Sequence, residues 1–294
     1  MSRANKTQTV RSVVAAAARR LQAAGLTYGH GTFNAREEAS WLVLHACRIS
    51  PGDFKSHAGN PVSAAQLKRV ETLVGRRIGE RIPAAYLTHE AWLGEFRFYV
   101  DRRVIVPRSF IAELLGEDIR AFLQGPVRHA LDLCTGSGCL AIVMAHAFAD
   151  AKVDAVDLST AALAVAKRNV SDYGLRQRVE LARSDLFSSL TLRRYDLIVS
   201  NPPYVNAAAM GALPDEYRAE PRMALVGGPD GLELVRRILT GARHRLKPKG
   251  VLVCEIGHNR RALERAFPKL PFTWLQTSGG NGLVFLLEKD QLPA

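Results

Sequence analysis

The chain has 294 residues, of which 47% are hydrophobic and 23% charged, and 40 Lys and Arg against 28 Asp and Glu leave a net charge of +12. That length is long for one compact domain and comfortable for two, and no apolar run approaches the ~18 residues that would span a membrane. Cys47, Cys134, Cys139 and Cys254 form neither a CxxC pair nor a Cys/His cluster, which speaks against a metal site and against disulfides and suits a reducing cytoplasm.

The first acidic residue is Glu37, preceded by Arg3, Lys6, Arg11, Arg19 and Arg20. That composition is similar to a mitochondrial transit peptide. TVRSVVAAAARRLQAAG nevertheless has the spacing of a surface helix ending at Gly25, and the helix is the preferred reading. AREEASWLVLHAC and, after Pro61, SAAQLKRVETLVGRRI repeat their apolar residues at helical intervals. Residues 1–83 are therefore expected to form a small all-helical domain. Residues 1–100 carry 14 Lys and Arg against 7 Asp and Glu, a balance that suits RNA, DNA or a ribosomal particle, or a plain solvated surface. Residues 84–107 turn aromatic and β-branched, alternate in EFRFYV, and predict a β-hairpin or extended linker.

From residue 108 the pattern alternates. RHALDL, KVDAVDL, RVELARS, YDLIVS and GVLVCEI read as buried strands, and GCLAIVMAHAFA, TAALAVAKRNVSDYG and LELVRRILTGARHRL as helices among them. Such alternation predicts an α/β fold with a mostly parallel sheet covered on both faces. FTWLQT and GLVFLLE follow with only the Gly-rich turn TSGGN between them, so a seven-stranded sheet should finish antiparallel.

LDLCTGSGCLA places Asp132 at the end of the first of these strands. Gly136 and Gly138 then form a tight turn into a helix, where glycine lets the backbone approach a ligand and the helix start offers free N–H groups. Asp157 ends the next strand and is placed to accept both hydroxyls of a ribose, a helix cap before STAALA being its other role. Asp185, after the third strand, is placed to meet an adenine amino group, or is a turn residue. Three acidic positions at successive strand ends fit a nucleoside lying across the carboxyl edge of the sheet. They do not separate NAD from S-adenosylmethionine.

DLIVSNPPY ends the fourth strand in Asn201, Pro202, Pro203 and Tyr204. The prolines stiffen the turn and donate no N–H, so carbonyls stand there without nearby donors, and Asn201 adds a side-chain carbonyl. Asn201 and the Pro202 backbone carbonyl can together accept both hydrogens of one planar –NH2 group, with Tyr204 over its flat face. Such a nitrogen is a poor nucleophile. Two acceptors hold it and favour the charging nitrogen of the transition state, in line with a sulfonium methyl ~3 Å away. An acceptor-only pocket has no use in hydride transfer, which decides against NAD.

On DLCTGSG, Asp157, SDLF and NPPY, in that order, the chain resembles the class I S-adenosylmethionine-dependent methyltransferases that modify planar amino nitrogens. NPPY is shared by enzymes acting on adenine in DNA and on glutamine side chains in proteins. The helical domain with its β-hairpin, and EPRMALVGGPDGLELVRRI at 220–238, are similar to the protein-glutamine branch, which includes the release factor methyltransferases. VPRSFIAELL at 106–115 resembles the VPRSPIAEL of the branch acting on the third protein of the large ribosomal subunit more than the IPRPDTE of the release factor enzymes. YGHGTFNAREEASWLVLHA and PAAYLTHEAWLGEFRFYVD look like the same branch. Phe110 departs from it, standing where proline is expected.

The resemblance runs from about Tyr28 to Glu288 and implies a Rossmann-like methyltransferase domain over 108–294. It implies S-adenosylmethionine as methyl donor, with S-adenosylhomocysteine as product. Asp132 and the run Cys134, Thr135, Gly136, Ser137 and Gly138 would border the methionine part of the cofactor, Asp157 the ribose, and Asp185 and Leu186 the adenine. Asn201, Pro202, Pro203 and Tyr204 would hold the glutamine amide, with Asn201 also beside the cofactor. Arg108 has three open roles: bracing the substrate loop, contacting rRNA, or a surface salt bridge. Glu255, in CEIGHN, has two: shaping the cofactor pocket or capping a helix. The basic helical domain would recognise the ribosomal protein, free or in an assembling particle with its RNA. An adenine methyltransferase on DNA or RNA accounts for the glycine loop, NPPY and the charge, but not for the helical domain or VPRS. A non-catalytic nucleic-acid-binding protein accounts for the charge alone.

Overall fold

The computed structural model describes residues 8–190 and 193–293; Arg3 and Lys6 of the early basic run lie outside the described residues. The chain forms two compact units, one running to Glu90 and taking in Pro214–Ala219, the other made of Ala91–Leu213 and the residues from Glu220 onward.

The first unit is helical. In α1 (Val10–Ala23), Val10, Val13, Val14, Ala17 and Leu21 are buried, the three-and-four spacing that turns one helix face inward. Thr9 starts α1 through a capping box with Ser12, and Gly25 follows its end at φ 57°. Asn34 caps α2 (Ala35–Cys47), its Oδ1 accepting from Arg36 N and Glu37 N, both at 3.0 Å. A short α3 (Phe54–His57) precedes α4 (Ala64–Gly79), whose Ser63 and Gln66 form a second capping box. Ala84–Thr88 make a further helix, α5, where the start of an extended linker was expected. Thr88 Oγ1 donates to Ala84 O at 3.0 Å, and His89 leaves the helix in the left-handed region, so the extended chain begins only after it.

Buried charge ties this unit together. Arg77, 1% exposed, donates from Nε to Glu38 Oε1 at 2.7 Å and from Nη1 to Glu216 Oε1 at 3.3 Å. Glu216 also accepts from Thr27 N at 3.0 Å and Arg81 Nη1 at 3.2 Å. Burial pushes its carboxyl upward, but these N–H groups and guanidinium charges outweigh burial and hold it below the ordinary value. This is how a segment of the chain more than a hundred residues downstream belongs to the helical unit.

The second unit opens with a hairpin, β1 (Ala91–Leu93) against β2 (Phe96–Phe98). Two single-turn helices follow, α6 (Ile111–Leu114) and α7 (Glu117–Arg120). Then come β3 (His129–Leu133), α8 (Cys139–Ala147), β4 (Lys152–Asp157), α9 (Thr160–Asp172), β5 (Val179–Arg183) and β6 (Tyr195–Ser200). After a one-turn α10 (Ala207–Met210), α11 (Glu233–Arg245) leads into β7 (Leu246–Glu255), followed by α12 (Arg260–Ala266), β8 (Thr273–Thr277) and β9 (Gly280–Glu288). The seven strands expected from the sequence form one sheet in the order β5-β4-β3-β6-β7-β9-β8. The first five are mutually parallel, and β9 and β8 pair antiparallel. The sequence reading left out α6, α7 and α12, which are too short for helical periodicity to distinguish them from turns.

Sheet order positions the site. From β3 the chain moves outward to β4 and β5, then returns to the other side of β3 as β6. At such a reversal the loops leaving neighbouring strands part in opposite directions and open a crevice at the carboxyl ends. Leu133 and Ser200 are partners across β3 and β6, and Ser200 Oγ donates to Leu133 O at 3.0 Å. The glycine loop and the Asn-Pro-Pro-Tyr stretch therefore leave the sheet side by side.

Candidate active site

Asp132 organises the loop after β3 from behind. It is fully buried, and its Oδ2 accepts from Thr135 Oγ1 at 2.5 Å and Ala141 N at 3.1 Å. Burial pushes its carboxyl up to about 7, and among the described residues its Oδ1 has no hydrogen-bond partner. Cys134, Gly136 and Gly138 take positive φ, which turns the chain sharply into α8. A Cβ at Gly138 would lie 3.1 Å from Ala166 Cβ, so this glycine serves the close packing of α8 on α9. Ser137 is buried, its carbonyl accepting Asn169 Nδ2 at 2.8 Å.

Asp157 stands at the end of β4 with Oδ2 accepting Gly136 N at 2.9 Å and Oδ1 accepting Ser159 N at 2.8 Å. Burial raises its carboxyl above the ordinary range. Ser159 itself caps α9. Each Asp157 oxygen keeps a second lone pair. Asp185 accepts Arg237 Nη2 at 2.8 Å. Leu186 is buried at φ 51°.

Cys134, Gly136, Asp157, Asp185, Leu186, Asn201 and Pro203 line one cleft. Asp132, Thr135, Ser137, Gly138, Pro202 and Tyr204 do not line it, although each lies in or beside the loops that do. The lining also includes Ile105 and, from the segment after NPPY, Pro221 and Met223. Sequence reasoning missed Arg103, the one cation among the described residues lining the cleft. Asp101 holds its guanidinium at 2.6 Å, and that bond above all pulls the Asp101 carboxyl down to about 2. The only sequence signal for the pair was an Asp and an Arg two apart in an extended segment.

The Asn-Pro-Pro-Tyr exit is stitched to the segment at 220–228. Val205 N donates to Leu225 O at 2.9 Å and Gly227 N to Val205 O at 2.8 Å. A Cβ at Gly227 would come within 2.7 Å of Pro203 O, so only glycine allows this approach. Arg108 forks onto Glu220, Nη1 to Oε1 at 2.6 Å and Nη2 to Oε2 at 2.8 Å, and Glu220 Oε1 also accepts Val106 N at 3.0 Å. Among the three roles open to Arg108, the contact present is this half-buried ion pair with the segment that walls the cleft. Glu255 is buried and accepts from Ser109 Oγ and Phe110 N.

Residues 112–214 match the family model described as Methyltransferase small domain, and residues 12–88 the one described as PrmC N-terminal domain. The ribosomal protein uL3 glutamine methyltransferase of Neisseria gonorrhoeae is 54% identical over 98% of this chain and 97% of its own length. That of Bordetella pertussis is 53% identical over 97% and 96%. The chain belongs to the ribosomal protein uL3 glutamine methyltransferase family. Among solved structures, the hMettl16 catalytic domain in complex with the MAT2A 3'UTR hairpin 6 matches with a TM-score of 0.53 over 84% of this chain and 91% of that one. At 15% identity that likeness shows the Rossmann-like methyltransferase fold alone.

As a member of this family the chain is a methyltransferase with S-adenosylmethionine as donor, and the residues present suit that cofactor. Asp157 offers two acceptor oxygens for a diol, and the cleft pairs this polar end with the apolar Leu186 and Ile105. Among the described residues no group of three or more His, Cys, Asp or Glu is arranged to hold a metal ion, and no helix is long and apolar enough to cross a membrane.

Proposed function

We propose that this chain methylates the side-chain amide nitrogen of a glutamine in ribosomal protein uL3. The observation that carries the reading is one cleft in which Asp157 and Gly136, the nucleoside side, meet Asn201 and Pro203, the acceptor side. The naming of the full-length relatives supports the same acceptor.

When bound, the cofactor supplies a methyl group on a positively charged sulfur. Cys134, Gly136, Asp157, Asp185 and Leu186 hold it, with Asp132 and Thr135 keeping the loop in shape. On the other side, the Asn201 side-chain carbonyl and the Pro202 backbone carbonyl accept the two amide hydrogens, and Tyr204 covers the amide plane. These acceptors bind a nitrogen that is gaining positive charge more tightly than a neutral planar one, which is the differential binding that speeds a reaction. They also fix its direction of approach, and one amide proton leaves as or after the methyl arrives. Arg108, through Glu220, holds the wall at 220–224 against the 106–110 loop.

The division at 1–83, 84–107 and 108–294, with Ala84–Thr88 going to the helical part, gives the three parts recognition, linkage and transfer in turn. The excess of Lys and Arg in the first hundred residues supports contact between the helical part and uL3 in an assembling particle with its rRNA. The four free cysteines support a reducing cytoplasm as its place of work.

The test offers labelled S-adenosylmethionine and three acceptors side by side: unmethylated uL3, unmethylated release factor and duplex DNA. Label on uL3 alone, lost in Asn201→Ala, is expected. Label on the release factor or on DNA overturns the choice of acceptor.

A further inference from the structure

Tyr204 is held at three points by the last residue of β7 and the loop after it. Its carbonyl accepts Asn259 Nδ2 at 2.8 Å. Its ring lies against Gly257, where a Cβ would stand 2.7 Å from the tyrosine Cε2, so no larger residue fits beneath the ring. Its hydroxyl reaches Glu255 Oε1 at 3.4 Å. Glu255 is 2% exposed, and its other oxygen, Oε2, accepts both Ser109 Oγ at 2.7 Å and Phe110 N at 2.9 Å. Two donors on one oxygen fix the plane of the carboxylate and turn Oε1 toward the tyrosine. Phe110 stands where proline was expected, and proline has no N–H to give. The Phe110 ring is itself seated on the turn between β8 and β9, where a Cβ at Gly279 would be 2.3 Å from its Cζ. A carboxylate this deeply buried, bonded to neutral donors only, costs stability, and binding of cofactor and amide as described leaves it without a task.

We propose that Glu255, aimed by Ser109 and Phe110, is the positioning residue that sets the Tyr204 ring over the acceptor amide. The proposal rests on the reading of Asn201–Tyr204 as the amide pocket. It differs from a purely structural role in one respect: its loss should appear in acceptor turnover and not in cofactor binding.

The experiment compares wild type, Glu255→Gln, Tyr204→Phe and the double variant on whichever acceptor the wild-type chain methylates. Steady-state constants are measured for the acceptor, and cofactor Kd by calorimetry. Each single change is expected to lower kcat/KM about tenfold, the size of one hydrogen bond to a charged group. The double should be no worse than the poorer single, because glutamine turns its NH2 to the tyrosine and both changes thus remove the same hydrogen bond to a charged acceptor. Cofactor Kd should stay within about twofold. Losses that multiply in the double, or a cofactor Kd that moves in step with kcat/KM, overturn the proposal. Ser109→Ala should cost about threefold, and Ser109→Thr, which keeps the hydroxyl, should restore the rate; equal losses in the two overturn the aiming role. This pair carries the test if Glu255→Gln does not fold. Should wild type methylate DNA and no protein, the amide reading fails, and the coupling of Glu255 to Tyr204 is then read on that acceptor.

Discussion

In the helical unit the buried charges pair off: Arg77 lies between Glu38 and Glu216, and all three are almost inaccessible. In the methyltransferase unit Asp132 and Glu255 are as deeply buried, yet hydroxyls and backbone N–H groups hold them, and among the described residues no cation is hydrogen-bonded to either. Burial pushes both carboxyls up to about 7. The first arrangement is closed, because every charge has its partner within the unit. The second sets buried carboxyls at two strand ends, behind the glycine loop and behind Tyr204, held by neutral donors, with the charge of Arg108 also favouring the ionised Glu255. Strongly shifted groups beside a cleft are the mark of a working site, and fully paired ones of a structural joint.

The comparison is sharpened most by Asn201→Ala. Methyl transfer should fall about 10²–10³-fold while the thermal midpoint stays within a few degrees. A midpoint that fell with the activity would break the distinction, since Asn201 would then be part of a joint.

Arg77→Met is the converse. It takes the guanidinium from buried Glu38 and leaves Glu216 to Arg81, and should cost about 3–5 kcal/mol of folding free energy, read from urea unfolding, with cofactor Kd unchanged in the protein that remains folded. A cost below about 1 kcal/mol, the level of an ordinary exposed pair, would show that the cluster does not close the unit.

The smallest effect is a slope with pH. Asp132 has its carboxyl near 7 in the folded chain against an ordinary 3.8, so folding tightens its hold on the proton. Its contribution is fully present below about pH 4 and is lost as pH rises through about 7; Glu255 acts in the same sense. Unfolding midpoints in urea at about pH 5 and about pH 8 should therefore differ less in Asp132→Asn than in wild type. An unchanged difference would mean that Asp132 meets a compensating charge in the folded state.

Much of this was legible in the residues. The central parallel strands β3, β4, β6 and β7 show long apolar stretches, because a parallel strand is buried on both faces, and Thr9, Asn34 and Ser63 mark helix starts by the hydrogen bonds their side chains can accept. Gly136, Asp157 and Asn201 were legible as a set because each closes a recognisable strand, and the chain order of those strands in an open sheet implies where their ends converge. The one-turn helices, α5 and α12 were not legible, since so few residues carry no period. Nor was Arg103 as part of the cleft, which depends on the path of an extended segment.

Local spacing and side-chain chemistry thus determined the longer elements and the mostly parallel sheet with its antiparallel end, and they are the ground for reading Asn-Pro-Pro-Tyr as an acceptor. Only the tertiary structure decided the partnerships: Arg77 with Glu216, 139 residues apart, and Ser109 with Glu255, 146 apart. Such pairs follow no periodicity or propensity. They form because burial strips water from a charged or polar group, and the nearest donor or acceptor that packing brings to it must then take water's place.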